Sequence, residues 1–165
     1  MANESFPEMP TINKIYIFDV YILTIVLPFA AMCIEAVGSK GQLSVAVVAK
    51  WFLFFAVGIR FMLGGIRQAI GAKRKTGEIF YIEKKQCCPI VKELGFANLS
   101  LGVVAAISLV IPSWRVVSAF SSCLYYGAAA VSYFFMKRAS ANETFIMISN
   151  SCISLILLIL LLEIA

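Results

Sequence analysis

Histidine is absent from the 165 residues. With it go haem ligation through imidazole, zinc sites that use His, and every acid–base or triad mechanism that turns on a histidine. Charge is scarce as well, Asp, Glu, Lys and Arg making up only 14% of the chain. The five cysteines, Cys33, Cys87, Cys88, Cys123 and Cys152, include no C-x-x-C pair, so no thiol-exchange motif is present. Three of them lie in apolar runs, the setting of a small buried hydrophobe. No polar or Pro/Ser-rich segment is long enough for a second domain or a disordered tail, and there is no internal repeat, so residues 1–165 read as one domain. Met1–Pro10 carries Glu4 and Glu8 and no basic cluster, which does not suit a cleavable signal peptide. The first helix is expected to remain as an anchor.

What the chain has in abundance is apolar surface. The hydrophobic fraction is 61% and the mean hydropathy +0.92, more than a soluble chain of this length could bury in its core. The expected class is all-α, an integral membrane bundle. A spanning helix needs about 20 mainly apolar residues, and five stretches qualify: roughly 15–37, 45–66, 94–111, 116–136 and 144–164. The alternative is four spans with one interfacial or re-entrant helix.

The first span contains Asp19, Pro28 and Glu35, and Pro28 is expected to kink it. Its link to the second span is short, which predicts an antiparallel hairpin. Residues equidistant from that turn share a depth, which puts Glu35 level with Lys50 and Asp19 level with Arg67. Each acid then meets a base; otherwise all four snorkel separately to the headgroups. Arg60 lies about 10 Å deeper than Arg67 by helix rise, and Glu93 at the start of the third span is its expected partner.

The stretch 67–92 is the longest polar segment and holds Lys73, Arg74, Lys75, Lys84 and Lys85. It reads as a cytoplasmic loop against anionic headgroups, with Ile79-Phe80-Tyr81-Ile82 as a short interfacial element. Cys87 and Cys88 occupy a juxtamembrane position where S-palmitoylation occurs, although two free thiols fit as well. In the third span Gly95, Asn98, Gly102 and Ala105–Ala106 recur at helical spacing, a small and polar stripe suited to close helix approach. The fourth span is rich in small residues, among them Ser118, Ser122, Gly127 and Ala129; in the fifth, Asn150 is expected to hydrogen-bond across helices.

Most basic residues fall on the side of the N-terminus, the 67–92 loop and Lys137-Arg138, against Lys40, Lys50 and Arg115 opposite. The positive-inside rule then places the N-terminus in the cytoplasm and the C-terminus outside. The +5 net charge is topological in origin, no basic patch alternates with stacking aromatics, and nucleic acid is not an expected partner.

The run Glu93-Leu94-Gly95-Phe96-Ala97-Asn98-Leu99 with Gly102, together with Trp51-Phe52-Leu53-Phe54-Phe55 and Gly58, resembles a family of small prokaryotic integral membrane proteins of unassigned function, itself distantly similar to DoxX-like four-helix proteins. The resemblance implies that Glu93, Gly95 and Asn98 are characteristic positions and suggests a membrane subunit with redox partners. Ser132-Tyr133 stands where the resemblance would put a Gly-His pair, so any His-dependent activity of relatives does not carry over.

Three functions are open. The leading one is a non-catalytic bundle, self-associating or part of a membrane complex, with the bilayer as its other partner and no cofactor or metal. The second is a small oligomeric transporter or channel whose polar path runs by Arg60, Glu93, Asn98 and Asn150. The third is a redox subunit for a lipid-soluble substrate, with Glu93 as acid/base and the cysteines as redox groups. On balance the chain is not expected to be an enzyme.

Overall fold

The computed structural model describes residues 14–38, 44–79, 88–135 and 141–164. They form five helices. Helix α1 covers 14–38 and α2 covers 45–79, while α3, α4 and α5 are Cys88–Ile107, Trp114–Phe134 and Ala141–Ile164.

Four helices contain stretches long and apolar enough to cross a membrane: Ile15–Gly38, Val45–Ile70, Pro89–Ile107 and Glu143–Ile164. Helix α4 has 21 residues, enough length, but its serines and tyrosines dilute its hydropathy. The composition therefore supports membrane insertion of a helical bundle with at least these four apolar helices.

Helix α1 is interrupted by a π-helical turn, Ile22–Val26, in which the Leu27 N–H reaches back to the Ile22 carbonyl. Pro28 supplies the reason. It has no N–H for the turn before it and its ring crowds a carbonyl there, so that turn widens. Helix α2 contains a second π stretch, Leu53–Ile59, and starts on Ser44, whose hydroxyl accepts a bond from the Val47 N–H.

Helix α2 outruns its apolar segment and ends at Ile79, beyond the expected limit at residue 66. Gln, Ala, Lys and Arg are strong helix formers, so the helix continues after the membrane pattern stops. Helix α3 begins at Cys88 and ends at Ile107, earlier at both ends than the expected 94–111. The Arg115 Nε–H bonds the Ser108 carbonyl at 3.3 Å just past the end of α3, a cation at a helix C-terminus.

Helix α2 is the central post. Ala49, Phe52, Leu53, Ala56, Val57 and Phe61 supply half of the buried apolar core, and Ala105, Ala119, Tyr126, Ile153, Leu157 and Leu160 from the other helices close on them. Helices α2 and α3 meet backbone to backbone. A Cβ on Gly65 would stand 2.5 Å from the Gly95 carbonyl oxygen, and one on Gly102 would stand 2.8 Å from the Gly58 carbonyl oxygen. The pairs 58/102 and 65/95 run in opposite order, as antiparallel helices require. The small stripe of α3 thus faces α2, through glycines spaced seven residues apart on each helix.

Candidate functional site

Polar side chains inside an apolar bundle must find partners in protein or water, so where each one points decides what the site can do. Arg60 directly follows the π stretch of α2. It lies about 15 Å by helix rise from Ile70, one end of the apolar segment, and about 20 Å from Val45 at the other. Its Nη1–H donates to Ser149 Oγ at 3.2 Å and its Nη2–H to Asn150 Oδ1 at 3.3 Å. The guanidinium carbon sits 5.3 Å from the centre of the Tyr126 ring, within cation–π range. Tyr126 is held by its hydroxyl, which donates to the Ala56 carbonyl, and by stacking on Phe61.

Arg60 and Glu93 are not brought together. Glu93 is exposed on the outward face of α3 and, among the described residues, has no ion-pair partner. The cause is helix periodicity: Gly95 must face α2, and a residue two positions earlier is rotated about 200° away from it. Ser149 and Tyr126 take the role expected of Glu93, alongside Asn150.

The hairpin charges are paired. Lys50 Nζ donates to Glu35 Oε1 at 2.7 Å, and Trp51 Nε1–H donates to the other carboxylate oxygen. Arg67 Nη2 lies 2.5 Å from Asp19 Oδ2. Trp51 adds a bond to Glu35 that charge pairing alone does not predict; its indole N–H next to Lys50 is the sequence signal for it.

Asn98 is buried and donates to Gln68 Oε1 at 2.7 Å, while its own Oδ1 has no partner among the described residues. Ser118 and Ser122 are buried on α4, and their hydroxyls have no partner among the described residues. A Cβ on Gly127 would meet Ser154 Oγ at 3.1 Å, and Ser154 Oγ–H donates to the Cys123 carbonyl at 3.0 Å, so this part of α4 packs closely on α5. Ala129 is half-buried. Cys87 and the side chain of Cys88 lie outside the described residues, and the lipidation reading with them.

Residues 18–164 match a family of unknown function (DUF6790). The chain belongs to that family. No curated protein and no solved structure matches it.

The family match runs from ahead of Asp19 to the end of α5, so every polar tie described above falls within it. It carries no link to DoxX-like proteins. What the polar groups do follows from their geometry. As arranged, they join helices: α1 to α2 through two carboxylates, α2 to α3 through Gln68 and Asn98, α2 to α5 through Arg60.

Proposed function

We propose that this chain is a five-span, non-catalytic membrane bundle that works as a subunit of an oligomer, of itself or of a larger membrane complex. The observation that carries this reading is that Asp19, Glu35, Lys50, Arg60 and Arg67 each bond a neighbouring helix. Catalysis in this setting would call for a nucleophile or base with a partner that activates it. Here the polar groups fix register instead. Glu93 stands on the exposed face of α3, where a polar group at membrane depth favours a protein neighbour over lipid.

Helix α4 counts as the fifth span in this reading. It lies along α5 through the Cys123, Gly127 and Ser154 contacts and reaches α2 at Tyr126, and its 21 residues extend about 31 Å. An interfacial helix would lie across those partners rather than beside them. With five spans the charge bias sets the N-terminus in the cytoplasm and the C-terminus outside.

The test is the assembly state of the purified protein in detergent and in nanodiscs, by native mass spectrometry. A discrete oligomer, or a reproducible membrane partner on affinity purification that is lost in Glu93→Leu, supports the proposal. A monodisperse monomer that brings down no partner refutes it.

A further inference from the structure

Arg60 carries more donors than the helix tie uses. A guanidinium has five N–H groups, and only two are engaged by the described residues, both by neutral oxygens. Those bonds, 3.2 and 3.3 Å long, exceed the length usual when a charged donor is fully held. No ion pair to a carboxylate is formed by Arg60 among the described residues: Asp19 is with Arg67, Glu35 is with Lys50 and Trp51, and Glu93 faces outward.

The two partners add donors of their own. Ser149 Oγ and Asn150 Oδ1 each accept from Arg60, and each side chain also carries hydrogens it can donate, the Ser149 O–H and the Asn150 amide N–H pair. Asn150 is 6% exposed, and the Tyr126 ring beside the guanidinium is 3% exposed. The result is a half-buried cation with spare donors, beside two side chains that carry donors of their own. Such a set complements a negative ligand and repels a positive one.

We infer that Arg60, Ser149 and Asn150 bind a carboxylate inside the membrane domain. The planar guanidinium fork matches a carboxylate with two parallel bonds. One cation balances one negative charge; a phosphate would call for a second, and Arg67, two turns further along α2, is occupied by Asp19. The position of Arg60 within the apolar segment Val45–Ile70 favours a carboxylate attached to an apolar body. That chemistry has two sources, an acid dissolved in the cytoplasm or a fatty acid of the bilayer.

The inference goes beyond the assembly reading and is tested separately from it. The full-length protein in phosphatidylcholine nanodiscs is titrated with radiolabelled benzoate and, in parallel, laurate, by scintillation proximity. Saturable binding of about one probe per chain is expected for at least one of them. Binding weakens at least tenfold in Arg60→Met, recovers in part in Arg60→Lys and weakens several-fold in Ser149→Ala. Benzoate binding points to a water-borne acid, laurate alone to a bilayer one. The inference fails if neither probe saturates on the unmodified protein, if Arg60→Met binds unchanged, or if inorganic phosphate displaces the probe as readily as acetate does. Should Arg60→Met not fold, unchanged binding in Ser149→Ala overturns it by itself. The assembly reading is judged on the unmodified protein and on Glu93→Leu, which lies on the exposed face of α3 away from Arg60, so the two readings can fail independently.

Discussion

Two adjacent glycines allow a sharp test of the α2–α3 seam. A Cβ on Gly64 would have no atom within 4 Å, whereas one on Gly65 would lie 2.5 Å from the Gly95 oxygen, 2.7 Å from the Leu99 nitrogen and 3.1 Å from the Leu99 Cα. All three of those atoms are backbone and cannot turn aside. Gly65→Ala therefore forces the helices apart by about 0.9 Å to restore an ordinary contact near 3.4 Å. A gap of that size forfeits roughly a quarter to a half of the dispersion energy of the atoms it separates. Overpacking of this kind costs about 1–3 kcal/mol, and a rigid backbone neighbour places Gly65→Ala at the upper end. Gly64→Ala meets no obstacle and gains helix propensity, worth up to about 1 kcal/mol in aqueous helices, so it is neutral or mildly stabilising. Both variants are compared with the parent by reversible unfolding in mixed micelles with increasing SDS. The double variant Gly65→Ala/Gly95→Ala costs less than the sum of the singles, because the first methyl already opens the seam for the second. If Gly64→Ala and Gly65→Ala unfold within 0.5 kcal/mol of each other, the close approach described for α2 and α3 is mistaken.

Two further expectations concern single side chains. Asn98→Leu removes one hydrogen bond to Gln68 along with an acceptor that has no partner among the described residues; these effects offset, and SDS unfolding shifts by less than about 1 kcal/mol, whereas a loss above 3 kcal/mol would mean that Asn98 Oδ1 is bonded in the membrane. Asn142-Glu143-Thr144 has the N-glycosylation pattern, yet the proposed topology puts it in the cytoplasm. Expression in a eukaryotic host should give a protein whose gel mobility is unchanged by glycosidase, and a glycan at Asn142 would invert the topology.

How far the sequence is readable depends on the range of each interaction. Depth in a helical hairpin reduces to counting from the turn, and that arithmetic brings Glu35 to Lys50 and Asp19 to Arg67. Gly95 and Gly102 stand out as a stripe because their spacing lies within one helix. Their counterparts on α2 are less visible, since Gly64 and Gly65 are neighbours on different faces and nothing local tells which one meets α3. The partner of Arg60 was out of reach for a different reason. Ser149 and Asn150 are 89 and 90 residues away, and charge logic favoured the acid at Glu93 over two neutral groups. The rotation of Glu93 relative to Gly95 was available as a corrective, because one glycine facing a neighbour assigns the azimuth of every residue on its helix. The unequal length of α2 followed no membrane signal at all, being a matter of helix propensity beyond the lipid.

The place of Arg60 on the second helix also constrains how the molecule is made. A ribosome releases α2 long before Ser149 and Asn150 exist, so the guanidinium enters the bilayer without them. An arginine at that depth disfavours insertion by about 2.5–3.5 kcal/mol, which the apolar run Trp51–Phe55 and the hairpin with α1 must outweigh for the interval. Arrival of the last helix then does more than add a span. It relieves a charge already committed to the membrane, and a chain halted before α5 would leave that guanidinium without either of the hydrogen-bond acceptors it has in the finished bundle.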